Sequence, residues 1–120
     1  MLIDFKGKRA LVTGAAHGIG RAIAFALAHD GATVTGVDNR AVEPTESGVT
    51  ITAHSCDLTK RAAIDDLVNT KGPFDILVHS AGGVCGQVGR PLEEISEEDW
   101  DAIVNINMKA GFFLAQAVAP

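Results

Sequence analysis

Gly14, Gly18 and Gly20, in the run TGAAHGIG at positions 13–20, could hold a phosphate with the backbone alone. Glycines at this spacing let the chain turn sharply, let it approach a pyrophosphate without an intervening Cβ, and let the following helix pack closely. A helix starting inside the loop then turns its unpaired N–H groups and the positive end of its dipole toward the same anion. His17, within the loop, could also touch phosphate, or it is an ordinary exposed loop residue. Asp38 is the second group with chemical reach, because a carboxylate there can accept hydrogen bonds from ribose hydroxyls. It would repel a phosphate on that ribose by about 4 kcal/mol per unit-charge pair at ~4 Å and an effective dielectric near 20. The loop and the acid together predict a dinucleotide site with NAD preferred. Arg40, two residues on, could pair with the extra phosphate and so admits NADP.

These groups need a strand before the loop, a helix after it and a second strand ending at the acid. KRALVT at 8–13 is a short apolar run that stops at Gly14. Ile19, Ala22, Ile23, Ala26 and Leu27 then share one helical face, with Gly31 as the stop. ATVTGVD at 32–38 and VTITAH at 49–54 read as strands, joined by a link with Pro44 that is short for a crossover helix and is expected to be irregular. Thr59 is placed to cap a helix bearing Ala63, Ile64, Leu67 and Val68, which breaks at Lys71-Gly72-Pro73. FDILVHS at 74–80 is the fourth strand. After a glycine-rich loop, Ser96-Glu97-Glu98-Asp99 resembles a capping box and opens a long helix through Trp100, Ile103, Val104, Met108 and Phe112 to about Ala119. Strands separated by helices predict an α/β fold over residues 1–120. Its Rossmann-type doubly wound parallel sheet would be partial, about four strands in the order 3-2-1-4, with ligands at the carboxyl ends of the strands.

Composition narrows the partners. The chain has 120 residues, 47% hydrophobic and 21% charged, with a formal charge of -5. No basic cluster exceeds KGKR at 6–9, which argues against nucleic acid or an anionic membrane as partner. No apolar run approaches the ~18 residues of a membrane span, and the start has no signal-like apolar region, so a cytoplasmic location is expected. Cys56 and Cys85 lack CxxC spacing and read as free thiols of a reducing compartment. The acids Glu93, Glu94, Glu97, Glu98, Asp99 and Asp101 gather at a helix start, where negative charge is favourable, and without a histidine they predict no metal site.

TGAAHGIG, Asp38, Asp57-Leu58, Ala81-Gly82 and the Trp100–Asn107 spacing resemble the short-chain dehydrogenase/reductases, and the resemblance runs the length of the chain. It implies that Gly14, His17, Gly18, Ile19, Gly20, Asp38, Asp57, Leu58, Ala81 and Gly82 contribute to a nicotinamide-cofactor site, with Asp57 and Leu58 at the adenine. From the residues alone, Asp57 is equally a helix cap. The family's NNAG is replaced here by His79-Ser80-Ala81-Gly82, with His79 expected as a structural substitute rather than a catalyst. Residues 82–90, GGVCGQVGR, look like the variable loop beside the nicotinamide. Asn107 matches the asparagine that kinks the long helix and holds a water in the family's proton relay.

The activity so implied is hydride transfer between a nicotinamide and an alcohol or ketone, in a homo-oligomer. The family exchanges the hydroxyl proton through the tyrosine of a YxxxK motif, with a serine that positions the substrate oxygen. This chain contains no tyrosine. Positioned proton transfer contributes ~10²–10⁴ in rate, so the 120 residues are expected to form the cofactor-binding half of a longer chain and to be inactive alone. Ending at Pro120 would leave FDILVHS as an exposed edge strand open to pairing. The alternative is a non-catalytic nucleotide-binding module or a strand-swapped assembly fragment.

Overall fold

The computed structural model describes residues 3–83 and 88–120. Cys85, and residues 84–87 of the variable loop with it, lie outside the described residues. Strands β1 (Arg9–Thr13), β2 (Thr33–Asp38), β5 (Thr52–Ser55) and β6 (Ile76–His79) form one sheet in the order β5-β2-β1-β6. All of its pairings are parallel. In chain order among these four strands the arrangement is 3-2-1-4, as the βαβ pattern requires. Leu11 pairs with Thr35 on one side and Leu77 on the other, so β1 lies inside the sheet, while β6 is an edge.

Both faces are covered, which makes the fold doubly wound. β1 is inaccessible from Ala10 to Thr13, and its alternation divides the core. Ala10 and Val12 pack with Ala24 and Phe25 of helix α1 (Gly18–His29). Leu11 points the other way, to Ile64 and Leu67 of α2 (Arg61–Lys71) and to Leu114 of a C-terminal helix. The guanidinium of Arg9 fastens the far end of α2 by donating to the carbonyls of Lys71 (2.6 Å) and Pro73 (2.9 Å). A cation there also suits the negative end of the helix dipole.

Three local expectations are corrected. In α1 the buried residues are Gly20, Ala24 and Phe25, whereas Ala22, Ala26 and Ile19 are exposed, the last by 76%. The count of apolar residues did not set the helix phase; the close approach of Gly20 to β1 did. Thr59 does not cap α2. Lys60 is the N-cap residue, without a side-chain bond, and the Thr59 hydroxyl turns back to Asp57. The single strand expected at 49–54 is broken at Ile51, whose side chain is buried against the α1 side of the core. Before the break, β4 (Val49–Thr50) pairs antiparallel with β3 (Thr45–Glu46). Ser47 and Gly48, at φ 50 and 80, make the tight turn between them. This hairpin stands where a crossover helix would be, and Arg21 of α1 holds it through Glu46 (3.4 Å) and the Glu43 carbonyl (3.4 Å).

The long C-terminal helix starts as expected. Ser96 accepts from the Asp99 amide (3.0 Å) and Asp99 accepts from the Ser96 amide (3.2 Å), closing a capping box at α3 (Glu97–Val104). A π-helical turn, Asn105–Lys109, then interrupts it before α4 (Ala110–Val118) resumes.

Candidate functional site

A cleft of about 870 Å³ opens at the carboxyl ends of β1, β2, β5 and β6. It is lined by Gly14, His17, Gly18, Ile19 and Gly20 from the first loop and by Asp38 from the end of β2. Asp57, Leu58, Ala81 and Gly82 complete the set the sequence singled out for cofactor. Asn39, Arg40, Cys56, Thr59, Ser80, Gly83, Asn105 and Ile106 also line it. Of these Arg40 was legible beforehand through its charge beside Asp38, and Ser80 and Gly83 through the motif and loop after the fourth strand. Asn105 was not, because the Trp100 spacing favours Asn107 over it. Asn107 does not line the cleft. It holds the cleft wall through the Gly83 backbone.

The glycines divide their work by geometry. Gly14 has φ +70, and a Cβ there would sit 2.8 Å from the Ala81 nitrogen and the Ser80 carbonyl carbon, so the loop after β1 can touch the loop after β6 only as glycine. Gly18 has φ +61 with nothing within 4 Å of an added Cβ, which leaves a bare, left-handed backbone facing open space. A Cβ on Gly20 would collide with the Gly14 carbonyl oxygen, so this glycine seats α1 on the strand end. The α1 N-terminus has no side-chain cap and no acid in its first turn. Its leading N–H groups therefore keep hydrogen-bonding capacity toward the cleft, in contrast to the closed end of α3.

Asp38 is 7% exposed and built in place by backbone donors. One oxygen accepts from the Ala16 amide (3.1 Å) and the other from the Arg40 amide (3.0 Å). Each carboxylate oxygen retains a lone pair, so the group is oriented and still able to accept from a diol. Asp57 accepts from the Thr59 amide (3.0 Å) and hydroxyl (2.6 Å). The Thr59 hydroxyl, then its amide, hold the Asp57 carboxyl below the usual carboxylate range. Leu58, next in the chain, is buried, with 4% of its surface exposed. Burial pushes the Cys56 thiol up, and Asp57 and Asp66 add to the effect, so this thiol is an unreactive part of the wall.

Asn107 sits in the π turn and treats the Gly83 backbone as a strand partner. Its Oδ1 accepts from the Gly83 amide (3.2 Å) and its Nδ2 donates to the Gly83 carbonyl (2.8 Å). The same Nδ2 donates to the Ile103 carbonyl (2.9 Å), the group its own amide would reach in an unbroken α-helix. Gly82 has no room for a side chain, since a Cβ would strike the Asn107 amide oxygen. Among the described residues no cluster of metal-ligating side chains occurs, and no helix is long and apolar enough to cross a membrane.

This parallel sheet with its glycine loop, the acid closing the second strand and the helix break facing the fourth defines a class. A family model for short chain dehydrogenase matches residues 8–120, and the chain belongs to that family. It is similar to gluconate 5-dehydrogenase of Gluconobacter oxydans, with 39% identity, covering 98% of this chain and 49% of that protein. D-threitol dehydrogenase of Mycolicibacterium smegmatis is 44% identical over 96% of this chain and 48% of its own length. Among solved structures, one from Agrobacterium tumefaciens assigned as a 2-deoxy-D-gluconate 3-dehydrogenase, with bound NADP, superposes with a TM-score of 0.84. It is 39% identical and aligns with 97% of this chain and 48% of its own. The chain thus spans about half the length of the relatives it matches.

Proposed function

We propose that these residues hold the nicotinamide dinucleotide of an oxidoreductase acting on an alcohol or ketone, and that the protein works as a homo-oligomer. The observation that carries the reading is the single cleft gathering Gly14–Gly20, Asp38 and Ala81–Gly82 at the carboxyl ends of the strands. In this reading the Gly18 backbone and the uncapped start of α1 take the pyrophosphate, Asp38 takes the adenosine ribose, and Asp57 and Leu58 flank the adenine. The cofactor supplies a hydride donor or acceptor. The chain supplies orientation, and Asn107 keeps the cleft wall beside the nicotinamide in place. Hydroxylated substrates are the natural class, since the named relatives act on gluconate and threitol. The 120 residues contain no tyrosine to exchange the hydroxyl proton, so turnover by them alone is not expected.

NAD is the preferred cofactor in this reading, because Asp38 lines the cleft and is buried and held by two backbone amides. The NADP in the Agrobacterium structure supports a second reading, in which Arg40 neutralises the 2′-phosphate. Calorimetric titration with NADH and NADPH separates the two. NADH should bind at least ~10-fold more tightly, as one like-charge contact at partial screening requires, and Asp38→Asn should narrow the gap. Tighter NADPH binding would establish the second reading. Binding of neither would end both.

A further inference from the structure

His79 stands where the family's usual motif carries asparagine, and its imidazole touches more than an asparagine could. Nδ1 lies 2.8 Å from the Thr13 hydroxyl and Nε2 lies 3.2 Å from the Ile106 carbonyl. Proton accounting settles which nitrogen is protonated. A carbonyl only accepts, so Nε2 carries a hydrogen. The Thr13 oxygen already accepts from the Ser80 amide (3.1 Å) and the Ala81 amide (3.1 Å), which uses both lone pairs. Its own hydrogen is then left to donate, and Nδ1 must be the bare acceptor. The ring is the neutral, Nε2-protonated tautomer, and every polar atom of the cluster is satisfied.

We propose that His79 is a positioning residue that ties the end of the central sheet to the π turn and thereby sets Asn107 against Gly83. Ile106, whose carbonyl it holds, adjoins Asn107 within the π turn, and Asn107 makes two bonds to Gly83. Among the described residues three hydrogen bonds thus join the end of β6 and the segment after it to the interrupted helix, and His79 makes the innermost. α4 is shaped for the ring as well. A Cβ on Gly111 would lie 3.0 Å from His79 Cδ2, so a glycine in the first turn of a helix, otherwise unfavourable, leaves space for the imidazole. An asparagine amide matches the Nδ1 position but ends a bond short of Ile106. Glutamine matches Nε2 and forgoes Thr13.

That difference in reach makes the test. In the protein expressed from its full reading frame and labelled with ¹⁵N, the His79 ring should show the neutral Nε2-protonated pattern at pH 7.5. An Nδ1-protonated ring or an imidazolium overturns the proposal without any variant. In His79→Gln the Asn107 side-chain amide resonances should stay in place, and in His79→Asn they should shift. The reverse order, or no movement in His79→Asn, also overturns it. The consequence for binding rests on the cofactor reading above. NADH affinity should fall about 3- to 10-fold in His79→Asn, the range of one lost hydrogen bond, and stay within about 2-fold in His79→Gln. A wild-type protein that binds no nicotinamide cofactor defeats the cofactor reading alone, because the ring tautomer and the Asn107 resonances still decide the role of His79.

Discussion

Alanine at Gly18 and alanine at Gly20 should fail in opposite ways. At Gly18 the backbone is left-handed and nothing lies within 4 Å of the new methyl. The left-handed conformation costs about 1–2 kcal/mol, and the stiffer unfolded chain returns about 0.4–1, which leaves a net loss of about 1.6 kcal/mol or less. At Gly20 the methyl meets the Gly14 carbonyl, with the Gly14 carbon at 2.7 Å and the Thr13 oxygen at 3.0 Å. These are backbone atoms at the end of the innermost strand, so α1 must lift and loosen Ala24 and Phe25. Such overpacking costs about 3 kcal/mol, and the better helix propensity of alanine offsets about 1 of it. With roughly 4 °C per kcal/mol for a domain of this size, Gly18→Ala should melt within about 6 °C of wild type, and Gly20→Ala about 8 °C or more below it. Binding should rank differently. The Gly18 methyl projects into the space proposed for the pyrophosphate, and NADH affinity, read by nicotinamide fluorescence below the melting temperature of each variant, should drop at least ~10-fold. A Gly20→Ala protein as stable as wild type, or a Gly18→Ala protein with unchanged affinity, would refute the division of labour between the two glycines.

Thr59→Val removes the hydroxyl that most lowers the Asp57 carboxyl, so the Asp57 titration midpoint, followed by carboxyl ¹³C resonances, should rise toward the ordinary ~3.9. The sign follows from linkage. A depressed carboxylate stabilises the fold above its unfolded pKa and loses that contribution as pH falls through the folded value. The variant should therefore be less stable than wild type at pH 7, and the gap should close during acid titration as Asp57 of the wild type is protonated. A midpoint that does not move would show that the hydroxyl is not the cause. Cys56, buried and raised, should alkylate far more slowly in the folded protein than in urea at pH 7.5, measured in a Cys85→Ser background so that one thiol reports. Equal rates would place that thiol in solvent.

What the sequence made legible was whatever depends on local chemistry. The β1 run, the glycine loop, the acid at the end of β2 and the Ser96–Asp99 capping box each follow from neighbours in the chain, and all stand where the residues indicated. The phase of α1 was not legible from apolar counting. Ile19 is exposed because it faces the cleft, and the next residue, Gly20, carries the contact that sets the rotation. The hairpin at 45–50 had a local signal, Ser47-Gly48 between short β-branched stretches, masked by the continuous look of VTITAH. The His79 cluster could not be found without coordinates, since Thr13, His79 and Ile106 come from three elements far apart in the chain. A histidine's partners are a tertiary fact.

The π turn at Asn105–Lys109 has a bearing on which changes in chain length this family member can absorb. One residue of an α-helix is about 100° of rotation. A π turn closes i→i+5 where an α turn closes i→i+4, so it holds one extra residue. Removing one would let a continuous helix form with α4 still in phase, and removing a second would swing α4 by that angle relative to α3. Ala110 and Leu114, buried against the sheet and α2, would leave their seats, and Gly111 would no longer face the imidazole. This helix can therefore lose one residue at the break and keep its far end seated, forfeiting the bulge that presents Asn107 to Gly83, whereas a second loss needs a compensating insertion.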